Sequence, residues 1–369
     1  MKRVNDLKLY RVVTDFFHRY FSDEEAVILF FLFLIFFFLL YWFGKILTPM
    51  FAAVIIAYLL SPLIDKIERF KIPHSIAVTL VFLCFFGLVT VSLLILIPSL
   101  VRQVSSLVAD VPRMMGLLQT EIASLPMRFP DLFSDEVVGQ WVTSFDLKKV
   151  GQQLSLWLPD VLSFSLYTIP SLISFLVYAI VVPLMVFFLL KDREQLWGSF
   201  KNILPERRRL MNQIASEMNI QIANYIRGKA VEILIVGGVS YITLQILGLE
   251  YAALLAVLIG LSVLVPYIGA IFVTIPVFAA GVLQWGFTPD LYSVLIAYLI
   301  IQMLDGNVLV PLLFSEAVNL HPVAIIVAVI IFGGVWGFWG VFFAIPLATL
   351  VKAIFNAWPK HQELENTGA

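Results

Sequence analysis

The chain has 369 residues, of which 61% are hydrophobic and 13% charged, and its formal net charge is -1. Its mean hydropathy is +0.96. Soluble domains carry roughly 25% charged and 45–50% apolar residues, so this composition excludes a water-soluble enzyme, and the near-neutral charge lacks the basic footprint of a nucleic-acid binder. The one cysteine, Cys84, lies within an apolar run, which leaves no intrachain disulfide and no cysteine-held metal cluster.

Apolar runs fall at about 26–43, 47–64, 74–98, 161–190, 231–247, 251–284, 291–313 and 322–356. Each approaches or exceeds the roughly 20 residues that cross the hydrocarbon layer. They predict an all-α polytopic membrane protein of about eight transmembrane helices with broken or re-entrant segments. The organisation is then a cytoplasmic amino end (1–25), transmembrane helices one to three (26–98), an external amphipathic helical segment (99–160), helix four (161–190), a cytoplasmic interfacial helical segment (191–229), helices five to eight (230–357) and a cytoplasmic tail (358–369). No small-residue cleavage site follows the first run, which reads as a permanent helix. Prolines predict breaks at Pro183, at Pro266 with Pro276, and at Pro346.

Orientation follows from Lys and Arg, which accumulate in cytoplasmic segments. With the amino end inside, the inner segments hold eighteen of them and the outer segments six. Both ends are therefore expected on the cytoplasmic side of a bacterial inner membrane. In the external segment, Leu100, Val104, Leu107, Val111, Met115, Leu118, Ile122 and Leu125 form an amphipathic stripe. It should continue the third span outward and fold back, with Pro112, Pro126, Pro130 and Pro159 dividing the segment into short pieces. In the inner segment Leu210, Ile214, Met218, Ile222 and Tyr225 form a second stripe beside Arg207, Arg208 and Arg209. That pattern predicts a helix lying along the membrane surface and leading into the fifth span.

No phosphate-cradling glycine loop, no H-E-x-x-H and no G-x-S-x-G elbow is present, and the four histidines lack ligand spacing. The chain is not expected to be an enzyme, to hold a metal or to need a cofactor. Glycines 333, 334, 337 and 340 suit close helix packing better than a nucleotide site. Polar groups in hydrocarbon are costly and therefore tend to face a cavity or a partner. Gln302, Asp305 and Asn307 place an amide, a carboxylate and a second amide within about one and a half turns, beside helix-weakening Gly306 and Pro311. They predict an unwound or re-entrant stretch lining a permeation route. Pro266, Tyr267 and Gly269 predict a second break within a long span, read either as part of the path or as a packing kink. Glu232, one turn into the fifth span and close to Lys229 and Arg227, reads as an interfacial ion pair or a proton carrier. A glycine-led, proline-interrupted echo links Gly269–Pro276 with Gly340–Pro346 and hints at an internal repeat.

These residues carry a resemblance to the autoinducer-2 exporter family of bacterial membrane proteins, and within it to PerM-like permeases. The matching stretches are Val182–Asp192, Asn224–Lys229, Val265–Ala270, and Asn307 through His321-Pro322 to Gly333–Gly337 and Ala344–Pro346. The resemblance runs from about Phe21 to Pro359. It implies an eight-helix inner-membrane fold with a sizeable external segment after the third helix, and self-association into a homo-oligomer. Where many members of that family carry a glutamate, this chain has the shorter Asp305. The resulting expectation is a secondary transporter or permease, embedded in the lipid bilayer, that exports a small polar solute such as the quorum-sensing signal autoinducer-2. The alternatives are a monovalent cation (sodium or lithium)/proton antiporter, in which Asp305 exchanges ions, and a non-transporting membrane scaffold.

Overall fold

A computed structural model of the chain describes residues 24–44, 46–128, 134, 169–203, 209–314 and 320–357. Among these residues every regular element is helical: α1 (Glu24–Phe43), α2 (Thr48–Glu68), α3 (His74–Ala109), α4 (Val111–Arg128), α5 (Ile169–Lys191), α6 (Arg193–Ile203), α7 (Arg209–Ile246), α8 (Ala252–Ser262), α9 (Ile268–Trp285), α10 (Pro289–Leu304), a π-helical turn (Asp305–Leu309), α11 (Val310–Phe314), α12 (Pro322–Trp336), α13 (Phe338–Phe342) and α14 (Ala344–Ala357). Five of the described stretches, Thr48–Glu68, His74–Ser124, Arg209–Ile246, Ile268–Trp285 and Pro289–Phe314, are long and apolar enough to cross a membrane. The protein is an all-α polytopic membrane protein. Large apolar side chains such as Phe31, Ile35, Trp42, Leu83, Leu94 and Leu234 stand exposed on these helices, as lipid-facing surfaces require.

Two of the expected spans are built differently from a single crossing. The run at 251–284 is divided into α8 and α9, which fold against each other as an antiparallel hairpin. Ala252, Leu255 and Ile259 of α8 share one buried core with Val273, Val277 and Ala280 of α9. At 11 residues, α8 is about 16 Å long, roughly half of the hydrocarbon thickness. The open end is stapled by one side chain, because Gln284 accepts from the Glu250 backbone N–H (3.0 Å) and donates to the Gly248 carbonyl (2.8 Å). Pro266 therefore sits in a reversal of chain direction, not in a kink. The run at 322–356 is likewise broken, into α12, α13 and α14, with Gly337 at the break.

The two hairpins share a local device. Each turns through a residue of positive φ, Tyr267 (62°) and Gly337 (63°), and each follows that turn with a glycine pressed on the preceding arm. A Cβ at Gly269 would overlap the Ser262 carbonyl, and one at Gly340 would overlap the Phe332 carbonyl. The first turn is the tighter one: the Ile268 N–H bonds the Pro266 carbonyl two residues back (2.7 Å). With Tyr267 at φ 62° and ψ -46°, this is the rare γ-turn of positive φ, a strained form. The echo between Gly269–Pro276 and Gly340–Pro346 thus corresponds to a shared local architecture. Other prolines do not break their helices: Pro98, Pro126, Pro183 and Pro276 all lie inside continuous ones. Pro346 falls in the first turn of α14.

Contacts divide the chain into two compact units, Met1–Leu59 with Phe188–Arg227 and Glu316–Ala369, and Leu60–Phe187 with Gly228–Ser315. In the first, Ile214 and Met218 of α7 pack with Leu29 of α1 and with Leu350, Ala353 and Ile354 of α14. Tyr225, 2% exposed, donates to the Phe342 carbonyl (2.8 Å). The stripe expected on the membrane surface is therefore covered by protein, and α7 runs unbroken from Arg209 to Ile246. Its apolar face meets helices of matching character, which removes the reason to lie in the interface. Phe51, Trp336, Trp339 and Phe343 form an aromatic cluster in the same unit.

In the second unit, α3 extends to Ala109 and is followed directly by α4, so the stripe at 100–125 is helical. Apart from Ser134, the remainder of 99–160, including Pro130 and Pro159, lies outside the described residues, as do the start of helix four, residues 1–23 and the tail. Gln103 accepts from the Leu254 N–H (2.9 Å), one of the free donors at the start of α8. Tyr251, in the turn before α8, donates to Asp110 Oδ2 (3.0 Å). Burial, then that hydrogen bond and the Asp110 charge, push the Tyr251 phenol up to about 12.

Because the Gly269 contact is with backbone, Gly269→Ala should lower the thermal unfolding temperature in detergent, with a cost of about 1–3 kcal/mol. Gly334→Ala, where an added Cβ meets nothing within 4 Å, should leave it unchanged. Equal behaviour of the two variants would contradict the close approach.

Candidate functional site

The second unit contains a buried charge cluster at the broken end of α8. A helix interrupted in the membrane leaves carbonyls at its end that water cannot satisfy. Here the Val263 carbonyl, at the C-cap of α8, accepts from Lys229 Nζ of α7 at 2.8 Å. The same ammonium lies 2.8 Å from Glu232 Oε2, three residues on along α7, and stands 5.2 Å from the centre of the Phe314 ring. Gly228 allows that ring to close over the pair, since a Cβ there would run into it. Lys229 is 5% exposed and Glu232 1%, so neither charge is hydrated. The ion pair anticipated at Glu232 is present, with Lys229 as its partner, but it is enclosed by protein and not at a wet interface.

Asp305 completes the cluster. It lies near enough to Lys229 and Glu232 for direct charge–charge interaction with both. Its Oδ1 and the Gln302 Nε2, one turn earlier, are buried without a hydrogen-bond partner. Unpartnered polar atoms at membrane depth are expensive, and natural structures keep them where a ligand, ion or water completes them. The stretch expected to unwind keeps its helix. It absorbs Gly306 through a π-helical turn over Asp305–Leu309, a form that recurs at functional sites. Pro311 follows in α11, whose first residue, Val310, closes the wide turn by donating to the Asp305 carbonyl. Asn307 points away from the cluster: it is exposed, and its Nδ2 donates to the Met303 carbonyl (2.8 Å).

The hairpin tip carries the other anticipated residues. Pro266 and Tyr267 form the γ-turn, Tyr267 being 55% exposed, and Gly269 is buried against Ser262. Behind the tip, buried Tyr298 donates to the Ala270 carbonyl (2.7 Å), and Thr274 bonds the same carbonyl (2.8 Å). Among the anticipated packing glycines, Gly333 lies against Val341 and Gly340 against Phe332; Gly337 supplies the positive φ of the turn, and Gly334 has open space. Lys229 is the member of this cluster that the sequence pattern alone does not single out. Its signal was the Gly228-Lys229 pair beginning an apolar stretch with Glu232 one turn on, a spacing that pairs the two charges wherever the helix is buried.

The AI-2E family transporter model matches residues 30–360. The chain belongs to the AI-2E family of transporters. It is 42% identical over 354 residues to PerM of Escherichia coli (strain K12), a permease by name, covering 96% of this chain and 99% of that one. It is 27% identical over 318 residues to YueF of Bacillus subtilis (strain 168), a transport protein by name, covering 83% and 82%. The AI-2 transport protein TqsA of Escherichia coli (strain K12) is 23% identical over 309 residues, covering 84% and 85%. Family and helices together make this a multi-pass membrane protein of transporter type.

Breaking a buried ion pair by removing one partner strands the other charge, at about 3–5 kcal/mol. Lys229→Met and Glu232→Gln should each lower the unfolding temperature in detergent, and Lys229→Met/Glu232→Gln together should recover most of the loss. Additive losses in this double-mutant cycle would show that the two groups are not energetically paired.

Proposed function

We propose that this chain is a secondary transporter that exports a small polar solute across the bacterial inner membrane by alternating access, with a quorum-sensing signal such as autoinducer-2 the first solute to test. The observation that carries the reading is the cluster of buried Lys229 and Glu232 with half-buried Asp305 and Gln302 at a broken helix end. Broken helices lend their backbone groups and dipole ends to polar cargo at the membrane midplane. Family membership supports the transport class, and the name of TqsA supports the choice of first solute.

A second reading, a monovalent cation/proton antiporter, is favoured by one feature of the same cluster. Two carboxylates, Glu232 and Asp305, face one ammonium, leaving a place for one further positive charge.

We read both hairpins as re-entrant. Each then returns to the side it started from, so the crossings fall from about eight to six and both ends stay cytoplasmic. The connections that change side, 286–290 and 315–321, contain no Lys or Arg, so the charge bias is untouched. The external placement of 99–160 and assembly as a homo-oligomer belong to the same reading.

Purified protein in liposomes tests the function. Autoinducer-2 movement should fall at least about tenfold in Asp305→Asn, as loss of a charged hydrogen-bonding group costs about 1.5–3 kcal/mol. Sodium or lithium pulses that drive proton flux, lost in Asp305→Asn, would put the antiporter reading first. Movement of either kind that survives the substitution unchanged would remove Asp305 from the path.

A further inference from the structure

Lys229 makes two contacts of different kinds with one ammonium: the counter-charge Glu232 on its own helix, and the Val263 carbonyl at the hairpin tip. The second contact joins α7 to the turn. That turn is strained, since Tyr267 holds φ 62° without being a glycine and such conformations persist only when surrounding structure holds them. A third group, Asp305, lies within charge–charge range of Lys229, and its Oδ1 is buried without a hydrogen-bond partner. An ionised carboxylate with one buried, unpartnered oxygen attracts a neighbouring ammonium. Asp305 therefore competes with Val263 and Glu232 for Lys229.

We propose that Lys229 is a positioning residue that couples the occupancy of Asp305 to fastening of the α8–α9 hairpin tip. The proposal rests on the transporter reading. While Asp305 is neutralised by its cargo, Lys229 stays on the Val263 carbonyl and the tip is fastened. When Asp305 is empty and charged, it draws Lys229 away, and the strained turn at Pro266–Ile268 is free to relax. The cargo is thereby enclosed by a contact that it does not itself make. Such a contact differs between the loaded and empty states, as any conformational coupling requires.

The test reads the tip directly and needs no transported solute, so it can fail independently of the transport assay. In a Cys84→Ser background, Tyr267→Cys is labelled by N-ethylmaleimide in native membranes. The proposal predicts opposite effects. Lys229→Met should label about tenfold or more faster, the change expected when one hydrogen bond from a charged donor is lost. Asp305→Asn, which mimics the neutralised carboxylate, should label more slowly than the parent. The Lys229→Met/Asp305→Asn pair should label like Lys229→Met alone. Lys229→Met/Glu232→Gln, which removes both buried charges together, repeats the measurement without a stranded carboxylate and should also label faster. A merely structural role would loosen the tip in both single variants. Faster labelling in Asp305→Asn, or an unchanged rate whenever Lys229 is replaced, would overturn the proposal.

Discussion

The interaction on which the second unit depends is the contact of one ammonium with one carbonyl. Ending a helix inside a membrane leaves backbone groups that neither water nor lipid can satisfy. The chain ends α8 at Ser262 and satisfies the next carbonyl, that of Val263, with Lys229. Burying a lysine then demands a counter-charge, which Glu232 supplies three residues along the same helix. The small Gly228 and the overlying Phe314 ring follow from the need to enclose the pair. Each element answers a cost raised by the one before it. The last member of this series is a carboxylate, Asp305, for which the protein provides charge but, at Oδ1, no hydrogen bond.

A buried ion pair is weak ground for stability, because desolvation offsets most of the attraction. Its persistence here makes better sense as a device that has two arrangements. A hairpin held by apolar contacts alone would be rigid; one whose tip also takes an exchangeable hydrogen bond from a charged donor can respond to a nearby charge. The apolar core of α8 and α9 runs along the arms, through Ala252, Leu255, Ile259, Val273, Val277 and Ala280, while Gln284 staples the opposite end. Rigid arms and a stapled root leave the strained turn at Tyr267 as the place where motion is cheapest.

Much of this was legible in the sequence. Hydropathy finds the helices, and the polar residues Glu232, Gln302 and Asp305 stand out against an apolar background. What periodicity could not separate is a long crossing from a hairpin. The run at 251–284 is apolar throughout, and a hairpin buried in protein has the same composition as a span buried in lipid. The distinguishing signal is local: Pro266 and Gly269 around Tyr267, and the glycine-then-proline order of Gly269 and Pro276 repeated at Gly340 and Pro346. Proline alone misled, since Pro126 and Pro183 sit in intact helices whose neighbours absorb the missing donor. The stripe on α7 is legible as apolar, but a sequence does not show that α1 and α14, and not lipid, cover it. Gly306 and Pro311 point to unwound chain at Asp305; a π-helical turn accommodates the same Gly306 while keeping the helix.

On the re-entrant reading the sixth apolar run is a hairpin whose ends return to one side. That reading is tested most directly by cysteines at Glu250 and Phe287, introduced singly into a Cys84→Ser chain and probed in sealed vesicles of known orientation with a membrane-impermeant maleimide. Both positions should be modified from the same side. Modification from opposite sides would mean that the run crosses the membrane as a single span, and the site built at its broken end would fall with it.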